Sequence, residues 1–181
     1  PTAKIVGTSM LNWDYTCIGC STATFCGTEI VLGYVCGMEW FEDLIDAYSQ
    51  NYGAPPEVYS WAIDVYPLDW VTTPNSGYHA TIAINQLKAM RNSLNEISEY
   101  ENTPIWITEM GLHVGYDSYA FKGSEIIPVG AYHWDKMADY LNITLDWLDN
   151  HSDQYKIEKW FYFITYKDLT NLAQDPYMGV I

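Results

Sequence analysis

Pro104-Ile105-Trp106-Ile107-Thr108-Glu109-Met110-Gly111 is the stretch whose reading decides the fold. Residues 105–108 are apolar, aromatic or β-branched with no charge among them. The run then meets a carboxylate and a glycine. A strand apolar nearly throughout is buried on both faces, as parallel strands covered by helices are. Three more runs read the same way: residues 3–10 (AKIVGTSM), 58–66 (VYSWAIDVY) and 159–165 (KWFYFIT). Three amphipathic patterns separate the four strands. Trp40, Phe41, Leu44, Ile45 and Tyr48 share one helical face. Leu87, Met90, Leu94 and Ile97 follow at 3-4-3 spacing, and Trp134, Met137, Leu141, Leu145 and Leu148 at 3-4-4-3. Gly53 with Pro55-Pro56 is expected to end the first helix, and Asn102-Thr103-Pro104 the second.

The order is therefore strand, loop, then alternating helix and strand. Such alternation predicts the α/β class, a parallel sheet and right-handed crossovers. The strands begin near residues 3, 58, 104 and 159, a spacing of roughly 50 residues. Eight such units would need roughly 400 residues, and even a lean eight-unit barrel needs roughly 250. The 181 residues thus supply about half of a (β/α)8 TIM-type barrel, with no linker or low-complexity segment dividing them.

Composition narrows the function. Eight Lys and Arg stand against 23 Asp and Glu, a formal charge of −15, which phosphate backbones and anionic lipid would repel. Neither nucleic acid nor a membrane is expected as a partner. An apolar content of 49% excludes a disordered chain. Aromatic residues make up 16%, more than a core of this size needs, and sugar-binding clefts use aromatic faces heavily.

Cys17, Cys20, Cys26 and Cys36 all fall in one loop, residues 17–36. Two disulfides would imply an oxidising, extracellular setting. A four-cysteine zinc site would need two closely spaced pairs, and only Cys17-x-x-Cys20 has that form. Free thiols are the third reading. No metal and no cofactor is expected: the four histidines show no H-x-x-x-H spacing, and no phosphate-cradling glycine loop or G-x-S-x-G elbow occurs.

Working residues of parallel α/β folds cluster at the carboxyl ends of strands. The first strand end offers Asn12, Trp13 and Asp14. The second offers Asp64, Tyr66 and Trp70, the third Glu109 and His113, and the fourth Tyr166, Lys167 and Asp168. Glu109 is the sharpest of these, because a carboxylate closing an apolar strand is costly unless hydrogen-bonded or used. Asp64 and Tyr66 are two apart and share a face, so a Tyr66 hydroxyl near Glu109 would hold its carboxylate aimed. Against this, Glu109 and Asp64 can be read as ordinary polar residues at a strand end, His113 as a satisfied loop histidine, and Lys167 with Asp168 as a simple ion pair.

The same residues carry a resemblance. The segment from Pro104 to Gly111 resembles the seventh-strand nucleophile motif of the retaining TIM-barrel glycoside hydrolases. Trp61-Ala62-Ile63-Asp64-Val65-Tyr66-Pro67 is similar to their sixth strand, and Trp160-Phe161-Tyr162-Phe163-Ile164-Thr165-Tyr166-Lys167-Asp168 to their eighth. Asp175-Pro176-Tyr177-Met178-Gly179-Val180-Ile181 resembles the turn before the closing segment, and residues 4–10 would be strand five. The resemblance spans essentially the whole chain except the cysteine loop. It implies retaining hydrolysis of a β-glycosidic bond by two carboxylates about 5–5.5 Å apart. Glu109 would be the nucleophile, and Trp13, Asp14, Asp64, Tyr66, Trp70, His113, Tyr166, Lys167 and Asp168 would line the sugar site. Asp64 departs from the histidine common at its position.

The acid/base glutamate would follow an asparagine on strand four, outside this chain. The N-terminal half of the barrel is then an expected partner, and residues 1–181 alone are expected to be inactive. Two other readings stand beside the secreted enzyme. One is a carbohydrate-binding barrel that has lost catalysis, and the other a scaffold that keeps only the fold.

Overall fold

A computed structural model of the chain describes residues 3–14, 36–66, 76–111 and 134–163. The strands are β1 (Val6–Leu11), β2 (Ser60–Val65), β3 (Ile105–Met110) and β4 (Ile157–Tyr162). The helices between them are α1 (Gly37–Tyr52), α2 (Ser76–Asn95) and α3 (Trp134–Tyr155). The four strands form one sheet in sequence order, and every neighbouring pair is parallel.

The stripes seen in the sequence place the helices. Phe41 and Ile45 of α1, Ala83, Leu87, Met90 and Leu94 of α2, and Tyr140 and Leu148 of α3 pack in one core. From the sheet they meet Met10, Trp61, Ile63, Val65, Ile105, Ile107, Met110 and Ile157. Helix α1 stops at Gly53, whose φ of 81° is the left-handed region a glycine enters without cost, and its N–H caps the Ser49 carbonyl. Helix α2 ends at Asn95, earlier than Asn102-Thr103-Pro104 suggested. A 3-10 turn at Ser98–Tyr100 follows, and the buried Arg91 guanidinium ties it down by donating to the Tyr100 and Thr103 carbonyls, both at 2.7 Å. Strand β4 begins two residues before the expected run, just after Lys156 turns the chain at φ 54°.

Burial on both sheet faces, expected of all four strands, holds best for β2. Strands β1 and β4 are the outer strands of the described sheet, and they leave Leu11 and Phe161 exposed. The face away from the helices carries Ser9, Ala62, Asp64, Thr108 and Glu109. Its curvature can be read from two hydrogen bonds that each skip a strand. Ser9 Oγ on β1 lies 2.7 Å from Thr108 Oγ1 on β3, and the Tyr59 hydroxyl beside β2 donates to Glu158 Oε1 on β4 at 3.0 Å. In a flat sheet the strands bridged would lie about 9.6 Å apart, twice the roughly 4.8 Å spacing. Ser and Thr hydroxyls cannot span that gap, so the sheet is concave on this side. Side chains from alternate strands meeting in layers is the packing inside an α/β barrel. The four strands fit part of such a TIM-like fold and form an open arc.

Candidate active site

The carboxyl end of the sheet is built outward from Asn12. Its φ of 54° is left-handed, a conformation that Asn tolerates better than most residues. The Asn12 N–H donates to the Asp64 carbonyl at 2.8 Å, and its Oδ1 accepts the Tyr66 N–H at 2.9 Å. One buried residue, through its backbone N–H and its side chain, thus ties the end of β1 to both sides of the β2 terminus. Helix α1 closes on the same place. Gly37 packs so near that a Cβ would lie 2.1 Å from the Asn12 carbonyl oxygen, and the Met38 N–H donates to the Trp13 carbonyl at 3.0 Å. That bond satisfies one of the helix's unpaired first-turn donors.

Gln86 of α2 braces the next two residues. Its Oε1 accepts the Trp13 N–H at 2.7 Å, and its Nε2 donates to Asp14 Oδ1 at 2.9 Å. Asp14 is thereby held half-buried at the rim. Trp13 does not present a face to ligand, contrary to the sequence expectation. The left-handed turn at Asn12 sends its ring into the helix layer, where it is 0% exposed and 5.2 Å from Phe41.

Glu109 and Tyr66 do meet. The Tyr66 hydroxyl donates to Glu109 Oε2 at 2.7 Å, the hydrogen bond foreseen from their positions. Burial first, then the bond to Glu109 and the nearby charges of Glu109 and Asp64, push the Tyr66 pKa far above the ordinary tyrosine range. The hydroxyl therefore stays protonated and serves as a donor. The ring packs edge-on to Phe163, 6.4 Å away, which fixes its direction.

The backbone explains how Glu109 reaches this position. On β2 and β3, Ile63 pairs with Ile107 but Asp64 pairs with Glu109, so Thr108 is an extra residue. The β3–β4 register also shifts between Ile107 and Met110. A bulge of this kind bends a strand and re-aims its side chains, often beside an active site. Here it brings Thr108 and Glu109 to the concave face together. The Thr108 hydroxyl donates to Asp64 Oδ1 at 2.7 Å, so Asp64 is held by Thr108.

Trp70, His113, Tyr166, Lys167 and Asp168 lie outside the described residues. Cys36 is disulfide-bonded, and its partner, Cys17, Cys20 or Cys26, lies outside them too. No group of three or more His, Cys, Asp or Glu among the described residues could hold a metal ion. No helix among them is long and apolar enough to cross a membrane. Sequence reasoning passed over Gln86, Ser9 and Thr108. Gln86 alone left a signal, as a polar side chain beside the apolar stripe of α2.

An acidic and hydroxylic rim on a concave parallel sheet suits many reactions, so the comparison with known families decides the class. The family model described as Glycosyl hydrolase catalytic core matches residues 36–179. The chain belongs to the glycosyl hydrolase catalytic core family. That membership points to glycoside hydrolysis and implies a carbohydrate substrate. No curated protein and no solved structure matched the chain.

Proposed function

We propose that this chain is the C-terminal half, strands five to eight, of a secreted retaining TIM-barrel glycosidase that cleaves β-linked oligo- or polysaccharide. The observation that carries this reading is Glu109. It stands at a strand's carboxyl end, in a family of glycosidases, with one oxygen held by Tyr66 at 2.7 Å. In this reading Oε1 attacks the anomeric carbon while the glycosidic C–O bond breaks. The departing oxygen takes a proton from a second carboxyl group on strand four, outside the chain. A glycosyl ester of Glu109 results. Water, deprotonated by the same second group, then attacks the anomeric carbon and returns Glu109 as a carboxylate.

Tyr66 fixes the nucleophile's rotamer during both steps. Asp14 and Asp64 offer acceptors to sugar hydroxyls, and Trp70, His113, Tyr166, Lys167 and Asp168 complete the sugar site. The Cys36 disulfide supports secretion, because such bonds persist in oxidising compartments. The test is hydrolysis of aryl β-glycosides by the complete protein and by its Glu109→Ala variant. Loss of turnover in the variant is expected; turnover equal to wild type removes Glu109 from the mechanism.

A further inference from the structure

We propose that Thr108 and Asp64 are positioning residues for Glu109, with Ser9 completing a hydroxyl chain that pins the β3 bulge. The inference rests on Glu109 being the working carboxylate. A bulge leaves its extra residue out of the ladder, and here the register slips against both neighbouring strands between Ile107 and Met110. Pairing resumes with β2 at Asp64 and Glu109, but with β4 only at Met110 and Tyr162; beyond these the Gly111 N–H donates to the Val65 carbonyl at 3.3 Å and the Phe163 N–H to the Met110 carbonyl at 3.0 Å. Side chains must therefore hold what the ladder does not.

Thr108 does so through two side-chain bonds. A carboxylate only accepts, and a threonine hydroxyl has one proton to give. With that proton on Asp64 Oδ1 at 2.7 Å, Ser9 must be the donor in its 2.7 Å bond to Thr108 Oγ1. The chain runs Ser9 to Thr108 to Asp64 in one sense, each bond polarising the next. It clamps the residue directly before Glu109 to β1 and β2, the two strands on one side of β3. Asp64 is itself the register partner of Glu109, so the Thr108–Asp64 bond lies beside the nucleophile.

The test uses the complete protein with Thr108→Val, Thr108→Ser, Asp64→Ala and the Asp64→Ala/Thr108→Val double variant. Valine keeps the shape of threonine and removes the hydroxyl. A displaced nucleophile costs up to about 100-fold in rate. Thr108→Val is expected to lower kcat by about that factor with KM within about twofold, and Thr108→Ser to restore it. The double variant should lose less than the two single losses combined, since both single changes remove the Thr108–Asp64 bond. A crystal structure of Thr108→Val should show Glu109 off the Tyr66 hydroxyl. Retention of that bond, wild-type kcat, or additive losses overturns the proposal. Failure of the Glu109 assignment shows separately, as full turnover by Glu109→Ala, while the crystal structure still reports whether Thr108 sets the carboxylate's place.

Discussion

Tyr66→Phe isolates the hydrogen bond on which the site depends. Phenylalanine keeps the ring against Phe163 and removes one oxygen, so packing changes little. The lost interaction is a hydroxyl donating to a carboxylate at 2.7 Å in a partly buried place. Hydrogen bonds to charged groups are worth about 1.5–3 kcal/mol. If the bond is needed to aim Glu109, that range corresponds to a fall of about 10- to 150-fold in kcat/KM. The assay is initial rates on an aryl β-glycoside with the complete protein, compared with Glu109→Ala under the same conditions. A Tyr66→Phe enzyme within about twofold of wild type, beside an inactive Glu109→Ala, would refute the positioning argument while leaving the nucleophile in place.

Three further outcomes follow from packing and charge. Trp13→Ala should cost about 3–5 kcal/mol in a urea unfolding midpoint, because a buried indole is removed from the core; unchanged stability with weakened glycan binding would return Trp13 to the sugar site. Gly37→Ala should destabilise by about 1–3 kcal/mol and lower turnover, since its Cβ would meet the Asn12 carbonyl oxygen at 2.1 Å and Met10 Cβ at 3.1 Å; a variant as stable as wild type contradicts that contact. Tyr66, Tyr100 and Tyr140 all have raised pKa values, chiefly through burial. The unfolded chain then ionises first, near the ordinary tyrosine value of about 10, so stability is full below that pH and falls above it. Each group removes up to about 1.4 kcal/mol per pH unit, and a flat urea midpoint from about pH 10 to about pH 11 would contradict the burial.

Much of this architecture was written in local pattern. Residues 58–66 and 104–109 read as strands because their apolar runs are too short for helices and lie between helical stripes; β2 lies within the first, and β3 runs one residue past the second, to Met110. Tyr66 and Glu109 could be placed together because parallel strands bring their carboxyl ends to one rim. What local pattern does not carry is direction after a strand ends. Trp13 looked like a rim aromatic, but one left-handed residue, Asn12, turns it into the core. The charged Glu158 masked the start of β4, because it is exposed and cuts Ile157 off from the apolar run. The bulge at Thr108 was equally hidden. A register slip depends on the neighbouring strands, and nothing in Ile107-Thr108-Glu109 announces it. Thr108 therefore read as one more β-branched strand residue, although it holds Asp64 and precedes the carboxylate that the site is built around.

The central claim is that Glu109 forms a covalent bond to sugar. Its most direct test is to trap the intermediate in the complete protein with a 2-deoxy-2-fluoro β-glycoside bearing a good leaving group, then map the labelled peptide by mass spectrometry. The account predicts one glycosyl adduct, on the carboxylate of Glu109, with loss of activity in step with labelling. A protein that hydrolyses β-glycosides yet carries the adduct on another residue would contradict it.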